Sequence, residues 1–231
     1  PVMASDFAHP VLNGFHIFQG TVGNVGVGGS NPGNHYNWTK VTAVPGATEL
    51  TRYAVGSENL IGPFQFSAAC TVPGTLLQST SFSEENYTAS VTRQDAVQWI
   101  NGQKQPFFAY VAFNSPHFPN QLPPFSLLSP ETQAALSDPG NVGGPYCAGQ
   151  LAGTASSCGT STCTDNAAWT ANQKRIFYNA MLESVDTEIG NLLSQMSPDK
   201  RANTMVFVVA DNGTPDSAVE PLLHDPAHAK G

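Results

Sequence analysis

The chain has 231 residues and a net charge of −8, with 9 Lys and Arg against 17 Asp and Glu. Charged residues make up only 11% of it and no basic run or nucleic-acid-binding motif occurs, which excludes a protein that grips DNA or RNA by charge. The length allows one sizeable domain or a large part of one, and the longest apolar runs fall far short of a membrane span.

The abundance of Gly (21) and Pro (18) suits a stable, loop-rich protein of an extracytoplasmic compartment. In chain order, Gly23-Asn-Val-Gly-Val-Gly-Gly-Ser-Asn-Pro-Gly33 comes first. It lacks the Gly-Lys-Ser/Thr signature of a phosphate loop and reads as a turn-rich segment. Asn37-Trp-Thr39 and Asn86-Tyr-Thr88 are glycan acceptors if the source is a eukaryote. Pro106-Phe-Phe-Ala-Tyr-Val-Ala-Phe113 predicts a buried strand, leading into Asn114-Ser-Pro-His117-Phe-Pro119, where two prolines stiffen the loop that carries His117. The stretch from 119 to 170 is too long and polar for a simple connection. It holds Cys147, Cys158 and Cys163, with Cys70 remote. Disulfides and hence an oxidising compartment are expected, since no His or Cys-x-x-Cys accompanies the cluster to make a zinc site.

A helix is expected over 170–196. Ile176, Ala180, Met181, Val185, Ile189, Leu192, Leu193 and Met196 form its core stripe, with Glu183, Asp186, Glu188 and Asn191 opposite. Pro198 follows as a stop. A second buried strand, Thr204-Met-Val-Phe-Val-Val-Ala210, ends on Asp211-Asn212-Gly213. Strand, crossover helix and strand make the parallel-sheet unit, and open α/β sheets bind ligands at the carboxyl ends of their strands. Asp211 and Asn212 are hard oxygen donors of the kind calcium takes; the same dipeptide also serves as an Asn-Gly turn. His9, His16, His35 and His224 have no metal-site spacing and read as structural or exposed, whereas His228 stands two residues before Lys230.

Four segments then come in an order that resembles the sulfatases of the alkaline-phosphatase superfamily. They are Phe107 to Pro119, Met181-Leu-Glu-Ser-Val-Asp-Thr-Glu-Ile-Gly190, Val208-Val-Ala-Asp-Asn-Gly-Thr-Pro215 and His228-Ala-Lys-Gly231. Asn13 to Gly20 and Tyr87 to Ile100 extend the likeness towards the start. The resemblance implies an α/β three-layer sandwich with a mainly parallel mixed sheet. It implies a calcium ion held by Asp211 and Asn212, and a sulfate ester, small molecule or glycan, contacted by His117 and Lys230. It also implies that the 119–170 insertion rims the site and selects the alcohol part of the substrate, unless it is a disulfide-pinned surface loop.

The family's formylglycine arises within a Cys-x-Pro-Ser-Arg motif, and Cys70-Thr-Val-Pro-Gly74 has neither the spacing nor the arginine. Residues 1–231 are therefore expected to be a partial catalytic domain, the middle of a sulfatase incomplete at both ends and inactive alone. Two alternatives stay open at this point. One is a non-catalytic secreted glycoprotein or assembly subunit that associates through exposed strand edges. The other is a phosphate or phosphonate ester hydrolase of the same superfamily.

Overall fold

The computed structural model describes residues 9–21, 23–25, 35–36, 38–44, 51–55, 87–117, 122–137, 171–215 and 229–230. The four cysteines, Asn37, Asn86, His224, His228 and most of the 119–170 insertion lie outside the described residues.

An antiparallel meander comes first, with strands β1 (Phe18–Gly20), β2 (Trp38–Ala43) and β3 (Thr51–Val55) in that spatial order. Trp38 faces Val55, and Phe18 faces Ala43. Trp38 and Lys40 stand two apart on β2 and so share a face. That face meets helix α1 (Thr88–Gly102), where Trp38 packs with Val25 and Val91, and Lys40 pairs with Asp95. Val41 and Ala43 on the other face of β2 are also buried, so the strand is covered on both sides.

The helix expected over 170–196 is present as α3 (Ala171–Gln195). Its buried positions are Phe177, Ala180, Met181, Ser184, Val185 and Glu188, the three- and four-residue spacing of one helical face. Glu188 thus lies on the buried face, not on the polar one expected for it. Helical phase decided the matter, because Arg93 of α1 supplies the countercharge that a buried carboxylate requires. Pro198 ends α3 and also opens a short helix, α4 (Pro198–Ala202), where its missing amide costs nothing.

Helices α1 and α3 run parallel. Tyr87 bonds Ser184 at 3.1 Å, Arg93 bonds Glu188 at 2.8 Å, and Asn101 bonds the Gln195 carbonyl at 3.0 Å, so partner numbers rise together. Asn101 also accepts from the Ser197 amide at 2.8 Å, and Lys200 donates to the Gln103 carbonyl. Parallel helices that each precede a strand segment are the arrangement of successive crossovers on one side of a parallel sheet.

The early part of the expected insertion is core rather than surface loop. A 3-10 turn at Phe125–Leu127 leads to α2 (Pro130–Ser137), capped by Ser129, whose hydroxyl accepts the Thr132 amide. Leu122, Leu128 and Leu136 pack on Phe177 and Ala180 of α3. Glu183 takes the Ser129 amide at 2.6 Å, and Thr187 donates to the Leu127 carbonyl at 2.9 Å.

The two expected interior strands pair with no other strand among the described residues. Within 107–113 exposure alternates with period two, half-buried at odd and exposed at even positions, which is the signature of an extended chain. Phe107 stacks edge-on against Trp99, and Phe113 joins the cluster of Tyr36, Tyr87, Ala89 and Leu127. Phe108 and Tyr110 point away and are about three-quarters exposed, at 73% and 76%. Met205, Phe207, Val208 and Val209 are exposed likewise. A strand needs a hydrogen-bonding neighbour as well as apolar residues, and no such neighbour pairs with 107–113 or 204–210 among the described residues. Parallel pairing does occur just past the second run, where β4 (Thr214–Pro215) lies beside β5 (Ala229–Lys230).

Candidate functional site

The loop that carries His117 leaves the 106–113 segment as Asn114-Ser-Pro-His117 and is held at every residue that can bond. It closes on itself through the His117 amide, which donates to the Asn114 carbonyl at 2.9 Å. The Asn114 side chain accepts the Val25 amide at 3.2 Å and donates to the Thr21 hydroxyl at 3.2 Å. Gly23, at φ +77, makes the turn that brings Val25 to this point, a conformation that side chains other than Gly rarely adopt. The Ser115–Pro116 peptide is cis.

Ser115 is buried and joins a polar chain whose direction is fixed. The Ser184 hydroxyl donates to the Met181 carbonyl at 2.7 Å, so its proton is committed. Tyr87, 3.1 Å from Ser184, must therefore donate to it. Ser115, 2.8 Å from the Tyr87 oxygen, must in turn donate to Tyr87. Burial pushes the Tyr87 phenol up to about 12, so it keeps its proton across the working pH range.

His117 also receives support through its carbonyl. His35 is fully buried, contrary to any surface role, and its Nε2 lies 3.1 Å from the His117 oxygen. A carbonyl only accepts, so Nε2 carries the proton and Nδ1 accepts from the Thr88 hydroxyl at 2.8 Å. Burial lowers the His35 imidazole to about 4, only partly opposed by the bond to His117, and the ring is neutral near pH 7. His35 stands in no motif, the motifs that include Tyr87 give no hint of its hydrogen bonds, and the pairing of distant segments that reveals both roles exists only in the fold.

Asp211 and Asn212 sit at the end of the second apolar run, exposed, with Gly213 and β4 immediately after. In β5, Lys230 stands opposite Pro215 and Ala229 opposite Thr214. The fold thus brings the Lys230 backbone alongside the chain three residues past Asn212. The contacts of His117 described above run to His35 and Asn114 and do not link it to Asp211, Asn212 or Lys230.

As a cation site, Asp211 and Asn212 offer adjacent hard oxygen donors free of a covering layer, which fits part of a calcium shell of about six to eight oxygens. The remaining ligands must come from other groups. Among the described residues no set of three or more His, Cys, Asp or Glu is grouped to hold a metal ion, and no helix is long and apolar enough to cross a membrane.

No curated protein and no solved structure matches this chain. A family model described as Sulfatase matches residues 18–226, which takes in the meander, helices α1 to α4, the His117 loop and the Asp211-Asn212 pair. That family carries the alkaline-phosphatase-like α/β fold and sulfatase-type hydrolysis, and a match across most of the chain decides membership: the protein belongs to the sulfatase family.

Proposed function

We propose that this chain supplies the anion- and cation-binding rim of a calcium-assisted sulfuric ester hydrolase. His117 and Lys230 bind the sulfate group, and Asp211 and Asn212 hold the metal. The observation that supports the reading is the parallel pairing of β5 on β4, in which the Lys230 backbone lies opposite Pro215, three residues past Asn212. An ammonium and an imidazole around a sulfate ester oppose the negative charge that grows on the leaving oxygen, and a bound calcium ion adds to that field. The net charge of −8 repels a sulfate ester overall, so attraction has to come from such local groups.

The nucleophile is not among these residues, so no bond-breaking step is assigned to them. Residues 1–231 are read as part of a catalytic domain whose 106–113 and 204–210 segments become parallel strands of a three-layer sandwich when neighbours pair with them. An extracytoplasmic location and a sulfated small molecule or glycan as substrate complete the proposal. The test is hydrolysis of nitrophenyl sulfate in competition with nitrophenyl phosphate by the native protein. Preference for the sulfate supports the reading, and preference for the phosphate replaces it with phosphoester hydrolysis.

A second reading, in which the chain also serves assembly, is favoured by one observation. Met205, Phe207, Val208 and Val209 are each more than two-thirds exposed in a segment that pairs with no strand among the described residues, and such surface drives association.

A further inference from the structure

Histidine at position 35 is an expensive way to fill a buried space. A polar ring with no exposure costs free energy unless both nitrogens find partners, and an apolar side chain would fill the volume without that requirement. Here both nitrogens are used, and they join two parts of the chain far apart in sequence. Nδ1 takes the Thr88 hydroxyl at 2.8 Å, while the Thr88 amide donates to the His35 carbonyl at 2.9 Å. Backbone and ring of His35 are therefore both fastened to the first residue of α1. Nε2 then reaches outward to the carbonyl of His117 at 3.1 Å.

We propose that His35 is a positioning residue for His117, holding the backbone from which the His117 side chain departs through the Nε2–H bond to its carbonyl. The effect on turnover rests on the reading of His117 as a sulfate-binding residue; the effect on the loop does not. Three anchors converge on this loop, with Asn114 tied to Val25 and Thr21, Ser115 to Tyr87, and His117 to His35. Of these three anchors, the His35 bond is the one that reaches His117 from outside its own turn. The ring is neutral near pH 7, so the single tautomer that donates to a carbonyl persists under working conditions.

The experiment compares His35→Phe, His35→Gln and Thr88→Val in the native protein, with nitrophenyl sulfate turnover and amide hydrogen exchange at residues 114–117 as readouts. His35→Phe keeps the shape and loses the donor. It is expected to lower kcat/KM roughly tenfold or more and to speed exchange of the His117 amide. His35→Gln can still offer an amide N–H to the same carbonyl and is expected to recover most of both. In a His117→Ala background, His35→Phe should add no further loss of rate. Equal behaviour of the Phe and Gln variants, unchanged exchange at His117, or losses that multiply with His117→Ala would each overturn the proposal. If His35→Phe does not fold, Thr88→Val, which loosens the ring but keeps the donor, must still speed His117 exchange, and unaltered exchange overturns the proposal. If His117→Ala leaves sulfate turnover intact, the sulfate reading fails while the exchange data still decide the role of His35.

Discussion

Arg93 and Glu188 meet at 2.8 Å across the α1–α3 interface, with the carboxylate fully buried and the guanidinium group nearly so. The Arg93 Nη1 continues to Gln195 at 3.0 Å, and Asn191 reaches the same Glu188 oxygen at 3.2 Å. Among the described residues the other oxygen, Oε1, has no hydrogen-bond partner, and neither does the buried hydroxyl of Ser90. The pair fixes which residues of two parallel helices lie opposite each other, yet it is an incompletely satisfied buried polar group.

Removing one partner should therefore cost more than removing both. Arg93→Ala leaves a buried carboxylate without its cation and is expected to destabilise by about 3–5 kcal/mol. Arg93→Met with Glu188→Leu is expected to be near neutral or more stable, because two desolvated charges and the orphaned oxygen disappear together. Chemical denaturation of the three proteins checks this, and a double variant as unstable as Arg93→Ala would contradict it.

Tyr87 relays a hydrogen bond from Ser115 to Ser184, so Tyr87→Phe strands the buried Ser115 hydroxyl and takes a donor from Ser184, which keeps its bond to the Met181 carbonyl. A loss of about 1–3 kcal/mol is expected, read as a lower denaturation midpoint. A stability equal to the wild type would mean that water replaces the phenol without cost.

Acid should weaken the fold through His35. Its imidazole is near 4 when folded and near the usual 6.5 when unfolded. Between those values the unfolded chain binds the extra proton, so stability is full above pH 6.5 and falls as pH drops towards 4. The loss is on the order of 3 kcal/mol, from the separation of the two values. Denaturation midpoints measured from pH 7 to pH 4 should fall in the wild type and flatten over that window in His35→Gln. Parallel curves would remove His35 as the cause.

The exposed run at Met205, Phe207 and Val209 is expected to drive association, either with a second copy or with further polypeptide that completes the sheet. Sedimentation of the isolated 231-residue chain should show a species above its own 24.4 kDa, shifted towards monomer by Phe207→Asp. If the isolated chain is a monodisperse 24.4 kDa monomer with a cooperative melting transition, this is ruled out.

Periodic segments were legible in the sequence. The helix at Ala171–Gln195 shows itself in the spacing of Ala180, Met181 and Val185, and the order of its flanking motifs was enough to indicate the family. The polarity of Glu188 points to the outer face of the helix whereas its phase puts it inside, and the partner that makes this tolerable, Arg93, sits 95 residues away. Leu122, Leu128 and Leu136 were lost inside a polar stretch whose apolar residues are too scattered to give a period, although they pack on Phe177. For His35 the sequence supports no more than a structural or exposed residue, and for Tyr87 no more than a place in the family-like block, because their role is to bond distant segments. Residues at 106–113 and 204–210 have strand composition, but pairing is a relation between segments and not a property of either.

Lys230 bears most directly on the anion side of the site. Lys230→Ala should weaken transition-state stabilisation by about 2–4 kcal/mol if the ammonium contacts a sulfate oxygen. An unaltered kcat/KM for nitrophenyl sulfate would make it a surface lysine.

The central claim is that Asp211 and Asn212 hold calcium for sulfate-ester hydrolysis. The most direct measurement is calorimetric calcium titration of native protein and its Asp211→Ala variant, with nitrophenyl sulfate hydrolysis followed in the same samples. Loss of calcium affinity and hydrolysis together, with helical circular dichroism unchanged, is the predicted result. Calcium binding and turnover that survive the substitution would contradict the account.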